Sequence, residues 1–87
     1  MVGGLIDLFA EIEALIDKAD ARYGPFTSTH EGYGVLAEEV AETLEAVRAN
    51  SLQATRREAL QVAAVALRLA RECDQGYESV FGQRSTK

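Results

Sequence analysis

Apolar residues recur at steps of three and four along three successive segments of this chain, which is the spacing of one face of an α-helix. In the first segment they are Leu5, Leu8, Phe9, Ile12, Leu15 and Ile16. In the second they are Leu36, Val40, Leu44 and Val47. We expect each set to form the core face of its helix. No segment alternates apolar and polar residues as a half-buried strand does, so the pattern predicts an all-α fold.

Turn-forming residues separate the first segment from the second. Glycine can end a helix and proline cannot continue one, so Gly24 and Pro25 predict that the first helix ends near Arg22. Ser28 and Glu31 have the spacing of a capping box, in which a serine caps a helix and a glutamate three residues later supports it. This box should start the second helix.

The third segment is uncharged through its middle. Asn50 or Ser51 can cap its N-terminus after the second helix ends, and the helix should run to about Cys73. From Ala59 to Leu67 it has no charged residue and carries apolar residues on both sides. We therefore expect a helix that is buried nearly all round.

The length of 87 residues allows one small domain, and a chain of this size buries only about 60% of the surface that its unfolded form exposes. A helix that is apolar on both sides then favours a subunit interface. We expect a helical bundle of three main helices, completed by oligomerisation as a homodimer or a dimer of dimers. The domain should cover residues 1–81, with a short fourth helix over 77–81 and a mobile tail over 82–87.

Composition narrows the class of partner. The net charge is −5, with 14 acidic and 9 basic residues, which argues against a nucleic-acid polymer because Lys and Arg make most phosphate contacts. The longest uncharged run is less than half of the roughly 20 apolar residues that a membrane-spanning helix needs, so we expect no membrane contact. The start of the chain lacks the basic region of a secretory signal, and Cys73 alone allows no internal disulfide. A cytoplasmic location is the resulting expectation.

Three glutamates of the second helix form the pattern that most strongly indicates a chemical function. Glu38, Glu39 and Glu42 fall within a sector about 100° wide on a helix. Carboxylates held this close repel one another, and a hard cation with oxygen ligands removes that cost. Mg²⁺ suits such an incomplete set of ligands, whereas a single His and a single Cys argue against zinc. The alternative is a solvated helix face that also includes Glu45.

Glu58 favours the cation site over the solvated face. It lies at the head of the third helix, on the same face as Val62, Val65 and Leu69, with Gln61 beside it. A carboxylate at the head of an apolar stripe needs a partner. We therefore expect Glu58 to point at one.

The motif Glu38-Glu39-x-x-Glu42, followed by Glu58-x-x-Gln61, resembles the signature of the MazG-like all-α nucleotide pyrophosphohydrolases. The similarity covers roughly residues 23–73. Three further stretches resemble small phage-type members of the family. They are Tyr23-Gly24-Pro25-Phe26, His30-Glu31-Gly32-Tyr33 and Glu58-Ala59-Leu60-Gln61-Val62-Ala63-Ala64. Gln61 departs from the family, which usually has Asp there. An amide offers an oxygen to a cation but supplies one charge less.

The resemblance implies hydrolysis of a nucleoside triphosphate, often a deoxy or damaged one, to the monophosphate and pyrophosphate, as in the cleansing of nucleotide pools. Glu39, Glu42 and Glu58 would then hold Mg²⁺, or Mn²⁺ in its place. Glu38 would complete the ligand set or accept the proton of an attacking water. Gln61 would orient a ligand or a water, or bind the cation weakly.

Three further residues are candidates for binding the substrate. Lys18, near the end of the first helix, could meet phosphates, although a basic residue there also complements the helix dipole. His30, at the start of the second helix, could contact a base or a phosphate. Arg57 could reach a phosphate or pair with the neighbouring Glu58.

A second hypothesis stays open because of Gln61. The chain could be a non-catalytic helical oligomer or nucleotide-binding module of the same fold, which would bind metal weakly and turn nothing over. A di-iron helical bundle would require Glu-x-x-His pairs on two helices, and the sequence has none.

Overall fold

A computed structural model of the chain describes residues 4–76, which form three α-helices and no strand. Helix α1 comprises Leu5–Tyr23, α2 comprises Thr29–Arg48 and α3 comprises Leu52–Gln75. The predicted all-α class is confirmed for this part of the chain. The predicted fourth helix over 77–81 and the tail over 82–87 lie outside the described residues. None of the three helices is both long enough and apolar enough to cross a membrane.

Serine residues cap two of the helices. Ser28 Oγ accepts a hydrogen bond from Glu31 N at 3.2 Å, which confirms the predicted start of α2. The carboxylate of Glu31 accepts from Thr27 N at 2.6 Å, one residue before the N-cap. Ser51 caps α3 in the same way as Ser28 caps α2. The other predicted cap, Asn50, instead adopts a φ of 58° in the turn between α2 and α3.

Helix α3 lies at the centre of the described bundle. It contacts both other helices, whereas no Cα atom of α1 lies within 8 Å of a Cα atom of α2 over residues 4–76. Helices α1 and α3 run in the same direction, because Arg56 near the start of α3 bonds Glu11, and Arg71 near its end bonds Asp20. The short connection after α2 returns the chain, so α2 and α3 form a helical hairpin. Helix α2 therefore runs antiparallel to both α1 and α3.

The core is small. Its buried apolar side chains are Ile12, Phe26, Ala46, Ala64 and Val65. At Gly32 the hairpin is so close that an added Cβ would lie 2.6 Å from Leu69 Cδ1, so glycine permits the approach of α2 to α3. No large side chain between residues 4 and 76 is completely excluded from solvent.

The prediction of the core face of α2 was wrong for three of its four residues, because Val40, Leu44 and Val47 are exposed. Leu36 is half-buried. The face that packs on α3 instead carries Gly32, Glu39 and Ala46, which are buried or half-buried. Small residues let the two helices approach closely, and the acidic face of α2 therefore turns toward the inside of the hairpin.

In the single chain α3 is not buried nearly all round; the predicted burial depends on the expected subunit interface. Ala64 and Val65 are buried, but Ala59, Ala66 and Leu67 are exposed, and Leu67 keeps 52% of its surface in solvent. Helices α1 and α2 leave the side of α3 that carries these residues uncovered. The expected oligomer stays a prediction.

Candidate metal centre and its cleft

Glu39, Glu42 and Glu58 come together where α2 faces α3. One carboxylate oxygen from each lies within 4.8 Å of the other two. Glu39 and Glu42 reach this point because they are three residues apart on one helix face, and the hairpin places the first turns of α3 opposite the last turns of α2. The structure thus gathers the three residues that the sequence proposed as metal ligands.

Glu39 occupies the enclosed position of this cluster. Its Oε1 atom is buried and has no hydrogen-bond partner among residues 4–76. Burial raises the pKa of its carboxyl group, and the negative charges of Glu42 and Glu58 raise that pKa further. A bound divalent cation would supply the missing partner for Oε1 and offset the repulsion. The donor set is all oxygen, which fits Mg²⁺ or Mn²⁺ better than a soft metal.

Arg57 is the positively charged residue that pairs with the cluster within residues 4–76. Its Nε lies 3.5 Å from Glu58 Oε2, while the arginine side chain is 61% exposed and that of the glutamate is 17% exposed. The pairing that the sequence left open is therefore present. Exposed ion pairs contribute little, so Arg57 does not neutralise three carboxylates.

A cleft of about 680 Å³ opens between α1 and α2, with α3 as its floor. The acidic cluster lines one part of it. Seven of the eight predicted site residues border this cleft, and they are Lys18, Glu38, Glu39, Glu42, Arg57, Glu58 and Gln61. Apolar side chains of Ala64 and Val65 form part of the floor. The cleft therefore combines acidic, basic and apolar surfaces.

His30 is the predicted site residue that does not border the cleft. It is exposed, and it precedes Glu39 by nine residues on the same helix. Nine residues turn an α-helix through about 900°, which places the two side chains on opposite sides. Its predicted contact with the substrate has no support in the geometry of a single chain.

Arg68 borders the cleft and was missed in the sequence analysis. It is only 4% exposed. Its Nη2 donates to the carbonyl oxygen of Gly24 at 2.9 Å, and its guanidinium lies 4.5 Å from the centre of the Phe26 ring. The sequence did contain a clue, because Arg68 follows Gln61 by seven residues and so lies on the same face of α3.

Glu72 completes the attachment of the loop between α1 and α2. Its Oε1 accepts a hydrogen bond from Phe26 N at 2.9 Å, and the glutamate is 3% exposed. Next to it, Arg71 binds both carboxylate oxygens of Asp20, at 3.0 and 2.8 Å. This bond holds the pKa of Asp20 below its usual range. The loop that borders the cleft is therefore fixed to α3 by charged groups.

No known protein family, curated protein or solved structure matches the chain in the comparisons made with it. The resemblance to the MazG-like pyrophosphohydrolases stays a prediction that depends on the motif.

Proposed function

We propose that the chain is a Mg²⁺-dependent pyrophosphohydrolase that converts a nucleoside or deoxynucleoside triphosphate to the monophosphate and pyrophosphate, in the cleansing of the cytoplasmic nucleotide pool. The observation that supports this most is the convergence of Glu39, Glu42 and Glu58 within 4.8 Å on one cleft of about 680 Å³. Pockets of roughly 300–1,000 Å³ suit ligands of nucleotide size.

Three carboxylates would hold the cation in this proposal. Bound Mg²⁺ would neutralise phosphate oxygens and lower the pKa of a coordinated water. Glu39 fits the role of ligand best, because its buried Oε1 lacks a partner and its pKa is raised by burial and by the charges of Glu42 and Glu58. Mn²⁺ would satisfy the same oxygen donors.

The remaining cleft residues would either accept the proton of the attacking water or bind the substrate. Glu38 is exposed at the cleft, where it would accept the proton of the attacking water or complete the ligand set. Lys18 and Arg57 would neutralise phosphate oxygens.

A non-catalytic nucleotide-binding module is the second candidate, and Gln61 favours it. This residue borders the cleft where the family usually has Asp. Its neutral amide leaves the ligand set one charge short. Such a module would bind nucleotide in the same cleft without hydrolysis.

Pyrophosphate release from a panel of unmodified and modified nucleoside triphosphates, with Mg²⁺ or Mn²⁺, tests the proposal. We expect release that requires the metal and falls at least about a hundredfold in Glu42→Gln. Glu45→Gln is the matched control, because Glu45 is exposed on the same helix and does not border the cleft. If the folded protein releases no pyrophosphate from any of the triphosphates, the proposed hydrolysis is refuted. Nucleotide binding in that sample, measured by calorimetry, would support the binding module.

A further inference from the structure

Arg68 lies in the cleft well away from the candidate metal ligands. It follows Glu58 by ten residues on α3, which is about 15 Å along the helix axis. The loop between α1 and α2 borders the cleft here, and Arg68 contacts it through Gly24 and Phe26. A nucleotide whose phosphates lie at the acidic cluster would extend its base toward this end of the cleft.

The guanidinium of Arg68 has more hydrogen-bond donors than the chain uses. Arginine carries five N–H groups, and within residues 4–76 Arg68 makes one hydrogen bond, to the carbonyl oxygen of Gly24 at 2.9 Å. Its Nε is buried without a hydrogen-bond partner, 3.5 Å from Asp20 Oδ1. Both carboxylate oxygens of Asp20 already accept from Arg71. A charged side chain that is only 4% exposed therefore borders the cleft with unused donors, which is costly unless a ligand accepts from them.

The loop beside Arg68 offers a ligand no comparable donor. The N–H of Gly24 donates to a carbonyl oxygen of α1, and the N–H of Phe26 donates to Glu72. Pro25, which also borders the cleft, has no N–H group. Of these groups, the guanidinium is the one that can donate to a base.

Glu31 is the acidic residue that borders the cleft beside this loop. Its Oε1 already accepts from the backbone N and the hydroxyl group of Thr27, at 2.6 and 3.1 Å. An oxygen on the base would thus find an unused donor at Arg68, whereas an amino group would meet a carboxylate that has two partners. This asymmetry favours a base with an oxygen acceptor.

We propose that Arg68 selects nucleotides whose base carries an oxo group where adenine and cytosine carry an amino group, by donating a hydrogen bond to that oxygen. The Phe26 ring, 4.5 Å from the guanidinium, supports it from one side. Tyr23 borders the cleft with 70% of its surface exposed, and a base can stack on its ring. The inference rests on the proposed binding of nucleotide in this cleft, which the enzyme and the binding module share.

Calorimetry of the full chain with Mg²⁺ and α,β-imido nucleotide analogues, which the proposed reaction cannot cleave, tests the selection. Two pairs isolate the oxo group, and they are the analogues of dITP and dATP and those of dUTP and dCTP. We expect the oxo member of each pair to bind at least about tenfold more tightly. Equal affinities in either pair, or tighter binding of the amino member, would overturn the selection. Absence of binding by every analogue would also overturn it, and pyrophosphate release from the natural triphosphates separately decides the proposed function.

Variants assign the selection to Arg68. Arg68→Met keeps a long side chain without its donors, and it should reduce the preference for the oxo member to less than about twofold. Lys18→Met is the matched control, because Lys18 borders the same cleft and would meet the phosphates that all four analogues share, so the preference should not change. If Arg68→Met does not fold, Arg68→Lys, whose donors lie on one compact group, should lower the preference at least about threefold. An unchanged preference in a folded Arg68 variant would show that another residue reads the base.

Discussion

Glu39 carries a negative charge at a half-buried position beside two other carboxylates, so it links the stability of the fold to metal binding. Its folded pKa lies above the usual 4.5 because of burial and the charges of Glu42 and Glu58. At a pH between the pKa values of Glu39 in the unfolded and folded states, its carboxyl group is mostly protonated in the folded state and mostly ionised in the unfolded state. Stability from this group is therefore lost as pH rises through that window.

Replacing Glu39 by glutamine should stabilise the metal-free protein at about pH 7.5, by roughly 0.5–1 kcal/mol, because it removes the repulsion. The gain should shrink as the pH approaches 4.5. Urea unfolding with a chelator measures both effects, and Glu45→Gln is the control. Mg²⁺ at 100 times its dissociation constant should add about 2.7 kcal/mol to the wild type and much less to Glu39→Gln. A variant that is less stable than wild type without metal would contradict this account.

Gln61 offers a prediction of gained binding. Changing Gln61 to Asp would add a carboxylate to the cleft one turn after Glu58, so Mg²⁺ affinity should rise about tenfold. The matched control is Gln61→Asn, which has the size of Asp without its charge. Isothermal titration with Mg²⁺ measures both variants. Equal affinities in the two would show that Gln61 lies outside the ligand set.

At the scale of the helices, local chemistry made the boundaries predictable and did not reveal the packing. Ser28 caps α2 through a bond to a residue three positions away, so the sequence alone could anticipate it. The inner face of α2 depends on which surface meets α3. An apolar strip around Val40 and Leu44 attracts any apolar partner, and the sequence could not show that Gly32 and Ala46 would pack on α3 instead.

The grouping of the candidate metal ligands was easier to predict than the core, because it depends on short-range features of the sequence. Glu39, Glu42 and Glu58 are related by helical periodicity and by a short hairpin, both of which the sequence displays. His30 does not border the cleft, and its contact with a substrate stays a prediction. Contacts across the bundle, such as that of Arg68 with Gly24, require tertiary structure and could not be read in advance.

The loop between α1 and α2 depends on a buried carboxylate of α3. Removing it by Glu72→Ala would leave Phe26 N without its partner and the charge of Arg71 less compensated. We expect a loss of about 3 kcal/mol in the free energy of unfolding, measured by urea denaturation. Asp74→Ala, at an exposed position of the same helix, should change stability by less than about 0.5 kcal/mol. Similar losses in both variants would argue against this anchoring role.

At the scale of the whole molecule, the helical class and the single domain follow from periodicity and length, and the described residues agree with the helical class. Assembly is different. The sequence predicted a subunit interface in which α3 forms the core, whereas Tyr33, Val40, Leu44 and Val47 leave exposed apolar surface on α2 as well. Hydrophobic pattern alone cannot distinguish a surface that meets another helix of the chain from one that meets a second copy.

Because α1 packs on α3 alone, its backbone should open sooner than that of the other two helices. Apart from a short apolar contact around Ile12, charged bonds near Arg56 and Arg71 hold α1 in place, and salt screens such bonds where they are exposed. Backbone amides of α1 should therefore exchange with deuterium before those of the α2–α3 hairpin, and sooner still at high ionic strength. Mass spectrometry of peptides after exchange would measure this order, and uniform protection would contradict it. The hairpin that carries the carboxylates would then persist through openings that briefly remove one wall of the cleft.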